Sequence, residues 1–477
     1  MKDVLKLRDV SFSYRDYSVP PVRKMVLEHL DLTLPEGSKT LLLAPPDNGK
    51  STLSRLLCGM VPKYLEGDLS GSCLLDGVEV TSREPWDLVE SCVLVGQNPQ
   101  EQLLMTTCED ELAFPLESLG MPAERMIRVV RNSLWKWKLM DFATISPQEM
   151  SGGERKRLLL AFLDTVPAPI WILDEPFDDL DSQWRETLMQ RITDHFGTVL
   201  VLASRYIDEF RGSFDRYGIL ANGAVTLGDE QDIVIEYEQL CDREYTSVES
   251  CTEEHCGRIL ACSGVSLVHP RKSVKDNTPF TLEVPAFTLR SEEIVSLVGP
   301  NGSGKSTFSR VLCGLDPPRE GEFLLDNQAV ARRDLSRTVG YLFQNPDYEI
   351  FLPSVREELA WSLRGDRSRT AQQKAALVAE CAQLFHLELD ATPSTMSYGK
   401  RKQLQAAVHY LLDRPFYILD ELDSGITYAT AFEMISLLRS RGAGILLITH
   451  DRSFSDRLSQ RTYTISNGTI HELEGQV

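Results

Sequence analysis

One large repeat constrains this chain more than any other feature. The segment GPNGSGKST opens at Gly299 and a related segment, APPDNGKST, opens at Ala44, so that Lys305 follows Lys50 by 255 residues. QNP recurs at Gln97 and Gln344, 247 residues apart, while M-S-x-G at Met150 and Met396 and L-D-E at Leu173 and Leu419 recur 246 residues apart. An offset held across three separated landmarks is the signature of a duplicated domain. The surplus residues fall between the first two landmarks. Two homologous halves are expected, residues 1–228 and 259–477, each of ordinary single-domain size. The stretch 229–258 is acidic and lacks a clear apolar face in its second part, which reads as a linker. Roughly 30 extended residues reach about 100 Å, enough for the halves to pair with each other inside one chain.

Each half reads as α/β. SKTLLLA and EEIVSLVG run straight into a loop and then a helical stretch opening at Lys50 or Lys305, the strand, loop, helix order of a βαβ unit. PIWILDE and PFYILDE are short apolar runs rich in β-branched and aromatic residues, as buried parallel strands are. Residues 107–165 and 354–412 carry helical segments such as AERMIRVVRNSLWKWKL and AQQKAALVAECAQLFHL, a helical lobe inserted into each half.

GPNGSGKST satisfies G-x-x-x-x-G-K-[ST] between a predicted strand and a predicted helix, the context in which the pattern has a mechanism. Gly299, Pro300, Asn301, Gly302, Ser303 and Gly304 form a loop whose amides can close around phosphate oxygens, with Lys305 neutralising the β and γ phosphates. Ser306, next to Thr307, offers its hydroxyl to Mg²⁺. Asp420 at the end of YILD is placed to hold Mg²⁺ through water, and Glu421 beside it to polarise an attacking water. His450 ends another buried run, ILLITH. By itself such a histidine is more often structural than catalytic.

Composition narrows the partners. Lysine and arginine number 50 against 70 aspartates and glutamates, a net charge of −20, which repels a phosphate backbone and argues against nucleic acid. No apolar run approaches the roughly 18 residues of a membrane span, and MKDVLKLRDV alternates charged and apolar residues where a secretory leader would not. The ten cysteines are then expected as reduced thiols in the cytoplasm. The group Cys241, Cys251, His255, Cys256 and Cys262 lacks the paired C-x2-C knuckles of common zinc sites and reads as free thiols.

Taken together, these motifs resemble the ATP-binding-cassette (ABC) ATPases, over nearly the whole chain and twice. The resemblance implies an α/β fold of two tandem P-loop ABC ATPase domains, each with a RecA-like parallel-sheet core, a β-rich subdomain and a helical signature lobe, hydrolysing ATP with Mg²⁺. MSGGERKRL looks like the family signature, whose Ser151, Gly152 and Gly153, followed by Glu154, face the γ-phosphate of ATP held by the opposite half. Gln97 and Gln344 look like the Q-loop glutamines that join the metal site to a transmembrane partner. Tyr14 in VSFSY matches the aromatic that stacks on adenine, and His269 in VSLVH is its weaker counterpart. Asp181, closing FDDLD, resembles the loop that crosses to the other site. QNP followed by TTCEDELAF, or by PSVREELAW, is similar to the ATPase subunits of energy-coupling-factor transporters and the related cobalt and nickel importers. That implies integral-membrane partners, a transmembrane coupling protein and a substrate-binding membrane component, with this chain peripheral on the cytoplasmic face of the membrane. Two other readings compete. A fused sugar-importer ATPase is disfavoured by the QNP motifs. A soluble cassette protein bound to ribosomal RNA is disfavoured by the charge of −20 and the lack of a long basic linker.

The halves depart from the family pattern in complementary ways. The first phosphate loop has Ala44 and Asp47 in place of glycines but keeps Asn48, Gly49, Lys50, Ser51 and Thr52, and its strand-end acids Asp174 and Glu175 remain. Ser204 stands where the second half has His450. In the second signature Tyr398 replaces the first glycine between Ser397 and Gly399, and Lys400 replaces the acid; Leu422 stands for the usual proline and Thr427 for Asp181. Cassettes of this family pair head to tail, which sorts the changes by site. Lys305, Asp420, Glu421, Gln344 and His450 face Ser151, Gly152, Gly153 and Asp181, all intact, while Lys50 and Ser204 face Tyr398 and Thr427. One competent and one degenerate ATP site are expected.

Overall fold

Strands buried at every position belong in the interior of a sheet covered on both faces, and several short apolar runs of this sequence are of that kind. The computed structural model describes residues 2–15, 24–45, 48–242, 255–269, 280–300, 302–449 and 451–473. The described residues divide into two compact units, one up to residue 242 and one from residue 255.

The first unit contains β1 (Asp3–Tyr14), β2 (Lys24–Pro35), β3 (Lys39–Leu43), β4 (Gly67–Leu75), β5 (Val78–Glu79), β6 (Cys92–Val95), β7 (Ile170–Asp174), β8 (Thr198–Ala203), β9 (Arg216–Ala221) and β10 (Ala224–Gly228). Its central sheet has the order β10-β9-β3-β8-β7-β6, parallel except for the β9–β10 hairpin. Every residue of β3, β7 and β8 is buried. A second, antiparallel sheet runs β2-β1-β4-β5. Between them lies the helix Lys50–Leu57, whose Leu53, Leu56 and Leu57 pack with Phe12 and Leu27. On the other face the helices Cys108–Ser118, Ala123–Lys136 and Gly152–Leu160 form the inserted lobe around buried Trp137.

The second unit repeats this plan with β11 (Ile259–His269), β12 (Phe280–Arg290), β13 (Ile294–Val298), β14 (Glu320–Leu325), β15 (Gln328–Ala329), β16 (Val339–Leu342), β17 (Phe416–Asp420), β18 (Gly444–Ile448), β19 (Arg461–Ser466) and β20 (Thr469–Glu472). Its parallel order β19-β13-β18-β17-β16 matches β9-β3-β8-β7-β6 strand for strand. Here a single register pair, Glu283 with Thr469, joins the antiparallel ladder to the rest, so one ten-stranded sheet results. The lobe helices are Val355–Ser362, Ala371–Leu384 and Tyr398–Leu412.

The expected linker needs correction. Glu230–Asp242 is a helix of the first unit, with Ile233, Val234 and Tyr237 buried in its core and Leu240 packed against it. Their i, i+1, i+4, i+7 spacing is one helical face, masked in the sequence by acidic residues on the others. Residues 243–254 lie outside the described part. No helix among the described residues is long and apolar enough to cross a membrane.

Candidate active site

In the second unit β13 delivers the chain into the glycine loop and the loop into the helix Lys305–Leu312. Gly302 and Gly304 have φ of 74° and 111°, a region open to glycine. A Cβ on Gly304 would come within 2.6 Å of the Phe280 ring. The helix starts with no side-chain cap and no acid in its first turn, so its N–H groups and dipole suit an anion. Lys305, buried, donates to the carbonyls of Gly299 and Pro300 at 2.8 and 3.2 Å. The buried Ser303 hydroxyl has no partner among the described residues, which fits a phosphate oxygen. Asn301 lies outside the described residues.

At the end of β17, Asp420 accepts from the Tyr341 hydroxyl at 2.7 Å and from Ser306 Oγ at 3.3 Å. Burial and then the neighbouring Glu421 push its carboxyl up to about 6, against the pull of Tyr341, Lys305 and Ser306. A buried carboxylate disfavoured in this way is what a divalent cation relieves, so Asp420 and Ser306 fit a metal. Glu421 takes a left-handed φ of 51° with its amide bonded to Ile448 O at 2.8 Å. Gln344 Nε2 donates to Glu421 Oε2 at 2.7 Å. Three segments far apart in sequence, at Lys305, Gln344 and Glu421, therefore meet at one end of the parallel sheet. His450 lies outside the described residues, as does the side chain of His269; next to His450, Thr449 Oγ1 donates to Asp423 Oδ2 at 3.0 Å.

The first unit has the same frame with different ties. Lys50 donates to Ala44 O and Pro45 O at 2.7 and 3.1 Å, and its ammonium lies 3.3 Å from Glu175 Oε1. The other oxygen of Glu175 accepts from the Ser204 amide at 3.0 Å. Both oxygens of the residue equivalent to Glu421 are thus engaged within the unit. Burial raises the carboxyl of Glu175 and that of Asp174, whose Oδ1 has no partner among the described residues; Ser51 hydrogen-bonds Asp174. Ser204 is held in turn by Tyr237, which donates to its carbonyl at 2.8 Å, and Arg205 forms a buried ion pair with Asp178 at 2.5 Å. Asn48 Oδ1 accepts from Asn222 N at 3.1 Å. The Tyr14 and Thr52 hydroxyls are 3.0 Å apart, which places Tyr14 beside the helix that follows the phosphate loop. Gly49 is left-handed at φ 88°. Asp47 lies outside the described residues.

The two signature segments cap their helices differently. Ser151 and Glu154 form a reciprocal capping box, with Gly152 and Gly153 opening the helix. Ser397 caps the Lys400 amide at 3.4 Å, but Lys400 reaches away to His386 O at 2.9 Å. Tyr398 donates its hydroxyl to Gln344 O at 2.8 Å; Gly399 follows it. Asp181 and Thr427 cap the next helices through Trp184 N and Thr430 N, at 3.1 and 2.9 Å.

Sequence reasoning missed two pairs. Lys156 and Lys402 are fully buried. Lys156 Nζ donates to Gly96 O, Gln97 O and Glu175 O at 3.1, 3.3 and 3.0 Å, and Lys402 Nζ to Glu421 O, Leu422 O and Ser424 O at 2.5, 3.1 and 2.7 Å. Their recurrence at the common offset of 246 was the available signal. Glu111 and Glu358 form the second pair: Glu111 Oε2 accepts from Leu104 N and Met105 N at 2.8 and 2.6 Å, Glu358 Oε2 from Phe351 N and Leu352 N at 3.0 and 2.7 Å. Of the cysteine group, Cys251 and the side chain of Cys241 lie outside the described residues. Cys262 is buried in β11, and His255 bonds Asp413 at 2.9 Å.

Comparison with known proteins agrees with this geometry. The sequence matches the family model described as ABC transporter over residues 27–178 and 282–424. A Treponema denticola protein provisionally named ABC transporter ATP-binding protein is 26% identical, over 98% of this chain and 96% of its own. A Bacillus subtilis protein provisionally named HMP/thiamine import ATP-binding protein is 28% identical, over 94% of this chain and 87% of its own. Among solved structures, the RNase-L Inhibitor superposes with a TM-score of 0.60 at 17% identity, over 98% of this chain and 90% of that one. A model of ribosome-bound archaeal Pelota and ABCE1 superposes with 0.65 at 18% identity, over 98% and 78%. At such identities the structures share the fold alone.

Proposed function

The chain belongs to the ABC transporter family, and from that premise we propose that it is the ATP-hydrolysing subunit of a membrane importer of the energy-coupling-factor type, carrying a vitamin or a transition-metal ion, with one competent and one degenerate ATP site. Membership makes it an ABC ATPase with two fused cassette domains. In this reading the domains run over residues 1–242 and 259–477, the helix Glu230–Asp242 counting with the first.

Bound MgATP brings the phosphoanhydride and the divalent charge. The chain's own residues do the rest. The loop from Gly299 to Gly304, Lys305 and the helix start hold the phosphates; Ser306, Gln344 and, through water, Asp420 hold the metal. Glu421 orients and deprotonates the attacking water; the family resemblance assigns His450 to the same step. Ser151, Gly152, Gly153, Glu154 and Asp181 of the first half complete this site in the proposed pairing. In the degenerate site Lys50 and Glu175 engage each other, which suits retention of nucleotide better than turnover.

The observation that supports a membrane partner is a recurring apolar surface. Leu104 and Phe114 are 76% and 53% exposed, and at the equivalent places Phe351 and Trp361 are 77% and 57% exposed. Each pair flanks in sequence the buried glutamate, Glu111 or Glu358, that pins the loop after QNP. That large apolar side chains are exposed twice at the same place supports reading the region as a docking surface. Crosslinking from positions 97 and 344 of the tagged chain in intact membranes tests this: integral-membrane proteins should be captured at both. Capture of no membrane protein at either position contradicts the proposal.

A further inference from the structure

We propose that Tyr398 is a positioning residue for the competent site: its hydroxyl fixes the backbone of Gln344 and thereby sets Glu421. The tyrosine in the second signature is then a replacement with a task and more than a lost glycine. The inference rests on the roles given to Gln344 and Glu421 above.

Two consecutive bonds carry it. Tyr398, the first residue of its helix, donates to Gln344 O at 2.8 Å; the side chain of the same Gln344 donates to Glu421 Oε2 at 2.7 Å. The first unit makes the corresponding tie another way. Lys156 bridges the carbonyls of Gly96 and Gln97 to that of Glu175, joining the Q-loop backbone to the strand-end acid through one ammonium. An ammonium has three donors, and Lys402 directs its three to Glu421, Leu422 and Ser424. In the second unit the Q-loop carbonyls are reached by Gln405, whose Nε2 donates to Phe343 O at 3.2 Å, and by Tyr398 at Gln344 O, a reach that a glycine, as at Gly152, lacks. The ring is itself held, with Lys402 Nζ 5.1 Å from its centroid and the Arg401 guanidinium 5.9 Å away, within the range of a cation over an aromatic face.

Steady-state ATPase measurements on the full chain, over a range of ATP at saturating Mg²⁺, test the assignment. Tyr398→Phe keeps the ring and removes only the hydroxyl. The kcat should fall about fivefold, the rate equivalent of one neutral hydrogen bond, with KM for ATP held within about twofold and the melting temperature unchanged. Tyr398→Gly should lower kcat at least as far. The loss should persist in a Lys50→Ala background, in which the other phosphate loop is disabled. Wild-type kcat in Tyr398→Phe overturns the inference, as does a faster Tyr398→Gly, a loss that tracks a lower melting temperature, or one that vanishes with Lys50→Ala. Glu421→Gln separates the two levels: retained turnover there removes the site reading itself, whereas abolished turnover together with an unaffected Tyr398→Phe removes the Tyr398 assignment alone.

Discussion

Glu175 and Glu421 end equivalent strands with the same left-handed backbone, φ 46° and 51°, and differ in what holds them. Lys50 and the Ser204 amide take both oxygens of Glu175; the Gln344 amide holds Glu421. A base paired with lysine is poorly placed to take a proton, whereas Lys305 serves the site proposed to turn over. Lys305→Ala is therefore expected to lower kcat by about 100-fold or more, the scale of a lost electrostatic contact to the reacting group. Lys50→Ala should leave most of the turnover and instead speed release of nucleotide from the first loop, which retention of labelled ATP on a desalting column would measure. Lys305, Ser306, Asp420 and Glu421 were legible in the sequence because each belongs to a local motif with its own chemistry. Lys156 and Lys402 were not, since a lysine on a helix reads as a solvated charge. Only the fold brings carbonyls from separate segments around it.

Among the elements, the parallel strands were the plainest to read, because burial on both faces leaves unbroken apolar runs such as IWIL and FYIL. Harder cases turned on contacts distant in sequence. Glu230–Asp242 reads as linker in the sequence because its acidic residues hide the face made by Ile233, Val234, Tyr237 and Leu240. The merging of both sheets in the second unit rests on one register pair between β12 and β20, which no local pattern announces. The helix Val355–Ser362 carries a further prediction. Its Glu358 accepts the amides of Phe351 and Leu352, and a charged acceptor of this kind contributes about 1.5–3 kcal/mol. Glu358→Ala should speed amide exchange at those two positions by tenfold or more on the order of that energy, while ATP turnover of the free chain stays near normal. Unchanged exchange at both amides would show that the carboxylate does not order the loop.

For the whole molecule, the duplication makes the architecture legible and its imperfections make the function legible. Two units of matching strand order carry unmatched residues at the phosphate loop, the signature and the position of Ser204 and His450. Decay confined to one half would leave each head-to-tail site with one damaged component; the observed distribution spares one proposed site and concentrates the changes in the other. Unequal sites are thus the central claim, and steady-state hydrolysis of MgATP by two single variants tests it most directly. Glu421→Gln should reduce turnover by about 100-fold or more, as loss of a general base does, whereas Glu175→Gln should retain most of it. Equal damage from the two substitutions would contradict the account and require both sites to turn over.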